Sequence, residues 1–495
     1  MTRAVPTGDL GLDLLLGGGW KLVERLPERH STTVVVRGGP GAGKTLLAIQ
    51  VALALAEALG GDVAVGCVEI LPSEYLAQLQ SARADIERAR IVVLPEAASP
   101  SPLPRVFCGL LTDLDPAAPD LVASLESLGR DVVAAGGNPA VYVVDSLIEG
   151  YGIGESAPRA SADAAMKFAV QGGRGLVLCE ETRSEAATTW VFAADTVLEL
   201  GVASRERGRW IEVRKHRFAA SVSGRHELEI RRQGAPAVYP QTHAWVTDHS
   251  HEVLRAHGWR YANSRRTMAL GWHPSSVPGE DGGFGARQLE GTFVLITSPI
   301  ADLARRLAFR LLPGQGASHS AHDLFFELDP LMLGEVDASS ASTSVEPIPT
   351  IRGATRALRW FIEVCTTRFT ETGEKSRALI RRVILGDVRL VLASPDALEW
   401  VEAIRVFASL VAEAGWATPV IVFETQADTD SSTNASAILA RYSDLQLHAY
   451  RNEPTGTVVT LTGRGRRNPR RLTWQSRLDD TPLPADLAAL DRSAP

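Results

Sequence analysis

The chain has 495 residues, of which 45% are hydrophobic and 22% charged, with a formal net charge of −7 at pH 7. That balance fits a soluble globular protein of about two to four domains; the lack of any apolar run of ~18 residues excludes a membrane span, and the net negative charge excludes a general attraction for nucleic acid, leaving only local basic patches. The opening "MTRAVPTGDLGLDLLLGGG" is broken by Gly and Asp and does not read as a signal peptide. The four cysteines, Cys67, Cys108, Cys179 and Cys365, show no Cys-x-x-Cys spacing. Reduced thiols, a cytoplasmic location and no metal cluster are the expectation.

The first strong element is "VVVRGGPGAGKTLLAIQ", residues 34–50. Val34–Val36 is a β-branched run of the kind found in a strand buried on both faces. Gly38, Gly39, Pro40, Gly41, Ala42, Gly43, Lys44 and Thr45 then fit G-x-x-x-x-G-K-[ST] in full, and Leu46 continues into a helix. The chemistry follows from the residue types. Glycines let backbone N–H groups turn inward around phosphates at a helix N-terminus. Lys44 brings a positive charge to the β- and γ-phosphates of ATP, and Thr45 offers a hydroxyl to Mg²⁺.

Further along, "DVAVGCVEI" is an apolar strand carrying Glu69 at its end, a carboxylate placed to orient an attacking water. Residues 96–105, "EAASPSPLPR", are irregular. "PAVYVVDSL" ends in Asp145, which suits a carboxylate holding the water shell of Mg²⁺. In "WIEVRKHRF", strand alternation places Lys215 and Arg217 on one face.

These motifs, in this order, resemble the KaiC-like branch of the RecA-type ATPases. "PTGDLGLDLLLGGG" is similar to the family's opening segment, "VEILP" to its catalytic-Glu strand, "VVDSL" to its Walker B strand, and "GRHELEIRRQGAPAVYP" to its closing hairpin. The likeness runs from Thr7 to Pro240. It implies a catalytic role for Glu69, where Ile70 replaces the second Glu of the family's pair. It also implies that Lys215 and Arg217 reach the ATP site of a neighbouring subunit, so that a cation supplied in trans stabilises the transferring phosphoryl group. A homo-oligomer, with a hexameric ring favoured, is the implied assembly.

The unit recurs. An offset of 260 (294 − 34 and 307 − 47) aligns Val34–Val36 with Val294–Ile296 and Leu47–Ala48 with Leu307–Ala308. In the second copy Gly43, Lys44 and Thr45 become Leu303, Ala304 and Arg305, so phosphate binding is not expected there. "VRLVLASPD" reads as the second Walker B strand, with Ala393–Ser394 opposite Asp145–Ser146. Aligning Asp195 with Asp444 sets Lys215 and Arg217 on Arg464 and Arg466.

The fold expected is α/β, with two tandem RecA-like domains, each a mostly parallel sheet flanked by helices. Residues 1–245 form the ATPase domain, 246–285 a connector, 286–478 a degenerate domain without a phosphate loop, and 479–495 a mobile tail. The Ser/Thr/Pro-rich stretch 337–350 reads as an exposed loop. The function expected is ATP hydrolysis in a ring, with the second domain a scaffold or a docking platform for a protein partner. The alternative is a RecA/RadA-related ATPase that binds nucleic acid through the basic cluster Arg464–Arg471. An autokinase is disfavoured, because Ala440–Arg441 stands where that reading needs an acceptor Ser–Thr pair.

Overall fold

The computed structural model describes residues 2–68, 70–82, 91–96, 101–111, 121–147, 158–181, 189–203, 208–231, 235–259, 293–300, 304, 308, 322–328, 343–347, 353–371, 380–414, 420–425, 434–452, 456–463 and 470–472. The chain divides into two compact units, residues 1–256 and 257–495.

In the first unit the strands are β1 (Thr2–Val5), β2 (Trp20–Leu26), β3 (Arg29–Gly38), β4 (Asp62–Cys67), β5 (Ile91–Val93), β6 (Val106–Leu110), β7 (Pro139–Leu147), β8 (Gly175–Glu181), β9 (Thr196–Val202), β10 (Arg209–His216), β11 (His226–Ile230) and β12 (Pro236–Tyr239). The helices are α1 (Leu10–Leu15), α2 (Lys44–Leu59), α3 (Pro72–Ala82), α4 (Leu121–Ala134), α5 (Pro158–Gly172), α6 (Thr189–Ala193) and α7 (Ser250–Ala256). The sheet runs β12-β11-β10-β9-β3-β8-β7-β4-β6-β5, with β2 also on β3 and β1 on β2. From β9 to β5 every neighbouring pair is parallel, and β9 to β12 continue as antiparallel hairpins.

Val34, Val35 and Val36 are fully buried at the centre. Helix α2 packs on β3, β7 and β8, and α4 and α5 cover other parts of the sheet. After β3 the chain passes the positions of β8 and β7 to reach β4, and after β8 it crosses to the other side of β3. This reversal of winding opens a crevice at the carboxyl ends of the strands beside β3. The sequence reading assigned residues 246–285 to a connector. Helix α7 instead packs on α1, so the first unit extends to Ala256.

The second unit contains β13 (Phe293–Ser298), β14 (His322–Glu327), β15 (Thr343–Pro347), β16 (Ile380–Asp387), β17 (Val420–Thr425), β18 (Leu445–Asn452), β19 (Gly456–Gly463) and β20 (Arg470–Leu472). Its helices are α8 (Ala354–Glu371), α9 (Arg389–Leu392), α10 (Ala397–Glu413) and α11 (Asn434–Tyr442). The order β15-β14-β16-β17-β13-β18-β19-β20 repeats β6-β4-β7-β8-β3-β9-β10-β11, with the same parallel and antiparallel pairs. The core packs Phe326 edge-on to Phe361 and Trp360 at ring distances of 4.9 and 5.0 Å, with Phe407 beside Phe361.

A buried aspartate also repeats. Asp195 Oδ2 accepts the Thr33 amide (3.0 Å), and the Asp195 amide donates to the Thr33 carbonyl (3.0 Å). Asp444 makes the same pair of bonds to Phe293 at 2.9 and 2.8 Å. Each aspartate ties the start of one parallel strand to the central strand beside it.

Two sequence expectations for this unit change. The strand in the place of β7 is β16, "IRRVILGD", and "VRLVLASPD" instead turns into α9. Gly386–Asp387, rather than Ala393–Ser394, therefore stands opposite Asp145–Ser146. A short apolar run carries no length signal to separate strand from helix. Part of the 337–350 stretch is β15, an edge strand ending in Pro347, the place where a sheet tolerates proline. The helix after β13 also begins early: Ala304 donates to Ile300, two residues past Ser298, whereas Leu47 donates to Gly43, five residues past Gly38. This backbone bond thus starts three residues closer to its strand than its counterpart in the first unit. Leu303, Arg305, Arg464, Arg466, the stretch 260–285 and the tail 479–495 lie outside the described residues. No helix among the described residues is long and apolar enough to cross a membrane.

Two histidines make the first unit acid-sensitive. Burial, with help from the neighbouring His243, lowers His226 from 6.5 to about 4, and burial, with help from Lys21, lowers His216 to about 4. Both are held neutral, so the unfolded chain takes up their protons first. Stability is therefore complete above pH 6.5 and falls as pH drops toward 4, by on the order of 3 kcal/mol for His226. Chemical denaturation between pH 7 and 4 should show this slope, and His226→Gln should flatten it; an unchanged slope would assign the acid sensitivity elsewhere.

Candidate functional site

The site forms where β3 runs into α2. Gly41 and Gly43 have φ of +71° and +101°, conformations open to glycine. A Cβ on Gly43 would also stand 2.8 Å from Ile230 Cδ1, so the loop is closed against β11 by the missing side chain. Leu47 makes the first helical bond, to Gly43. The amides of Lys44, Thr45 and Leu46 precede it and carry the positive end of the α2 dipole. Gly39, Pro40 and Gly41 form the outward rim of the loop, and Ala42 is buried beneath it.

Lys44 is buried, and its Nζ donates to the carbonyls of Gly38 (2.9 Å) and Gly39 (3.1 Å). The ammonium therefore already lies inside the curve of the loop. From outside, Arg209 on β10 donates Nε to the Gly41 carbonyl at 3.0 Å. Below, Arg37 and Glu180 face each other across β3 and β8 at 3.7 Å, both buried.

Asp145 comes in from β7. The pairing of β7 with β8 breaks between Val144 and Leu147, releasing Asp145 and Ser146 from that ladder. Asp145 is 8% exposed. Burial pushes its carboxyl above the usual carboxylate range, and the Thr45 and Tyr75 hydroxyls, Lys44 and the Cys179 thiol oppose that rise. Lys44 and Thr45, adjacent in sequence, thus converge with the distant Asp145 at one strand-end crevice. Asp145 Oδ2 has no hydrogen-bond partner among the described residues. A buried carboxylate beside a threonine hydroxyl fits a hydrated Mg²⁺, which prefers oxygen ligands and retains several of its waters.

The other candidates fall differently. Glu69 lies outside the described residues; the described neighbours Cys67, Val68 and Ile70 bring the chain to the same sheet edge. Lys215 and Arg217 share a face: Lys215 Nζ donates to Val191 O (2.9 Å) and Phe192 O (2.6 Å), and Arg217 Nη2 donates to Phe192 O (2.6 Å). They sit toward the far end of the sheet from the loop of their own chain. Lys215 pairs with Val197, and Val197 pairs with Val35, while the Arg217 amide donates to Asp195 O beside Thr33. Five residues of strand, about 17 Å, separate the level of Thr33 from that of Gly38. Burial and the adjacent Arg217 lower Lys215 to about 8.

Tyr75, Arg209 and the Arg37–Glu180 pair are absent from the sequence reading, which named Cys179 only among the reduced thiols. No local motif marks them, since each acts through a partner on another strand or helix. Among the described residues no group of His, Cys, Asp and Glu is arranged to hold a metal by protein ligands alone. Compared with models of known protein families and with curated proteins, the chain matches none.

Because its charge is enclosed, Asp145 is placed at the expense of stability. Asp145→Asn should raise the stability of the nucleotide-free protein by about 1 kcal/mol, a common trade at functional positions. A thermal melt checks this; a lower melting temperature would mean that the fold already compensates the charge in full.

Proposed function

We propose that this protein binds and hydrolyses ATP with Mg²⁺, as a cytoplasmic assembly in which each nucleotide lies between two first units. The observation that carries the reading is the convergence of Lys44, Thr45 and Asp145 at the carboxyl ends of a parallel sheet, beneath a loop of glycines that opens onto a helix N-terminus. The likeness of the sequence to KaiC-like ATPases supports the same conclusion.

In this reading the loop amides and the α2 dipole hold the phosphates, and Lys44 turns from the Gly38 and Gly39 carbonyls to the β- and γ-phosphates. Thr45 and Asp145 would hold Mg²⁺, directly by the hydroxyl and through water by the carboxylate. The ion would neutralise charge on the β- and γ-phosphates. Glu69 orients the attacking water. Lys215 and Arg217 are displaced from the loop of their own chain, so their cations serve the nucleotide of a neighbour. A contact between unlike faces is heterologous, and such contacts close into rings when the rotation permits. A hexamer is the favoured count. The second unit keeps the sheet without the loop and acts as a scaffold or a docking platform.

Two outcomes follow. Mass spectrometry of the intact assembly should find about one nucleotide per chain, and none in Lys44→Ala; two per chain would refute the assignment of the second unit. Lys44→Ala and the double variant Lys215→Ala/Arg217→Ala should each lower turnover by at least about 10²-fold. Mixed and reassembled, the two inactive proteins should regain turnover, because an intact loop then meets an intact cation pair. Failure to complement would place the cations in some other role.

A further inference from the structure

Tyr75 is 1% exposed, in the first turn of α3. This helix starts at Pro72, shortly after β4 ends at Cys67, and Cys67 is the register partner of Asp145 on β7. The brief connection from β4 holds Tyr75 over the strand ends from which Asp145 emerges, and the Tyr75 amide donates to Leu71 O at 2.9 Å to close the turn. Cys67, Cys108 and Cys179 lie near Tyr75, and their thiols are all pushed up by burial and stay protonated.

The Tyr75 hydroxyl faces the Asp145 carboxylate. Neither this hydroxyl nor Asp145 Oδ2 has a hydrogen-bond partner among the described residues. Enclosed polar atoms without partners are costly, and these two are complementary: a phenol can donate, whereas an ionised carboxylate only accepts. A tyrosine present only for its bulk would be served as well by phenylalanine, which buries no hydroxyl.

We propose that Tyr75 is a positioning residue of the metal-holding site, its hydroxyl supplying the donor that Asp145 Oδ2 lacks. The carboxylate is then fixed in rotation, and its other oxygen is left for the water shell of a divalent cation beside Thr45. What the carboxylate holds rests on the nucleotide-binding reading above; the contact between Tyr75 and Asp145 does not.

The test uses Tyr75→Phe in the full chain, with binding of a fluorescent adenine nucleotide as the readout and Mg²⁺ as the titrant. The Mg²⁺ midpoint should rise about tenfold, the size of effect typical when a partner of a metal ligand is removed. Affinity for the nucleotide in EDTA should stay within about twofold of wild type, since the loop amides and Lys44 are untouched. In an Asp145→Asn background the same substitution should leave the midpoint unmoved. An unchanged midpoint in Tyr75→Phe, or an equal shift in both backgrounds, would overturn the proposal. A second measurement needs neither a variant at position 75 nor a nucleotide. With 3-fluorotyrosine at all seven tyrosines, Asp145→Asn should shift one fluorine resonance of the otherwise wild-type protein. No shifted resonance would also overturn the contact. If wild type binds no nucleotide, the proposed function fails and the fluorine measurement alone decides the contact.

Discussion

The structure depends on one constraint: β3 is a parallel strand enclosed on both faces and hydrogen-bonded to β8 and β9. Parallel neighbours all point the same way, so Gly38, Cys67, Asp145 and Glu181 emerge along a single edge of the sheet. Nothing in the local sequence of any one strand brings Asp145 to Lys44; the shared direction of β3, β7 and β8 does. The winding adds the second half of the effect. Because the chain leaves β3 on one side and returns to β9 on the other, the helices diverge there, and the opening falls over the glycine loop.

The two sheets show which parts of this arrangement are separable. Strand order, strand direction and the aspartate that ties the first residues of the central strand to its neighbour are present in both. These features satisfy buried backbone groups, and their loss would leave amides without partners inside the core. The phosphate loop is different in kind. Its glycines serve close approach and curvature, and positive φ favours them only while the loop must curve. In the second unit the Ala304 amide already bonds Ile300 O, two residues past Ser298, where the first helical bond of the first unit is to Gly43 O, five residues past Gly38. An acid remains at the end of β16, in Asp387, but its Oδ1 accepts the Arg389 amide at 3.1 Å. The carboxylate there serves a turn.

The sequence was most legible where structure is local. The loop from Gly38 to Thr45 is contiguous, and its spacing alone carries its geometry; Asp145 was readable because an apolar run ending in an acid is itself a signal. Misreadings arose where tertiary context chose between options of similar local preference. "VRLVLASPD" and "IRRVILGD" are both short and apolar, and only the pairing with β14 and β17 makes the second a strand. Residues 343–347 looked too polar for a core, yet an edge strand needs only one partner. Tyr75 was invisible for a stricter reason. A single tyrosine in an amphipathic helix gives the same pattern whether its hydroxyl meets water or a buried carboxylate, and only the distance to Asp145 across the fold separates the two.

The same logic bears on Lys215 and Arg217. Their side chains close the carboxyl end of α6, a place where cations are favoured because the last carbonyls of a helix lack partners. The arrangement is not at ease, however: burial and the nearby Arg217 both work against the charge on Lys215. Two cations sharing two carbonyls, beside the exposed ring of Phe192, remain short of negative charge. An anion brought by another subunit would supply it, and the carbonyls of Val191 and Phe192 would have to release their donors in exchange. In the proposed assembly, helix α6 is therefore a competitor for the cations that the neighbouring site needs. It also lies on the path from β8, which ends beside the loop of its own chain at Gly38, to β9.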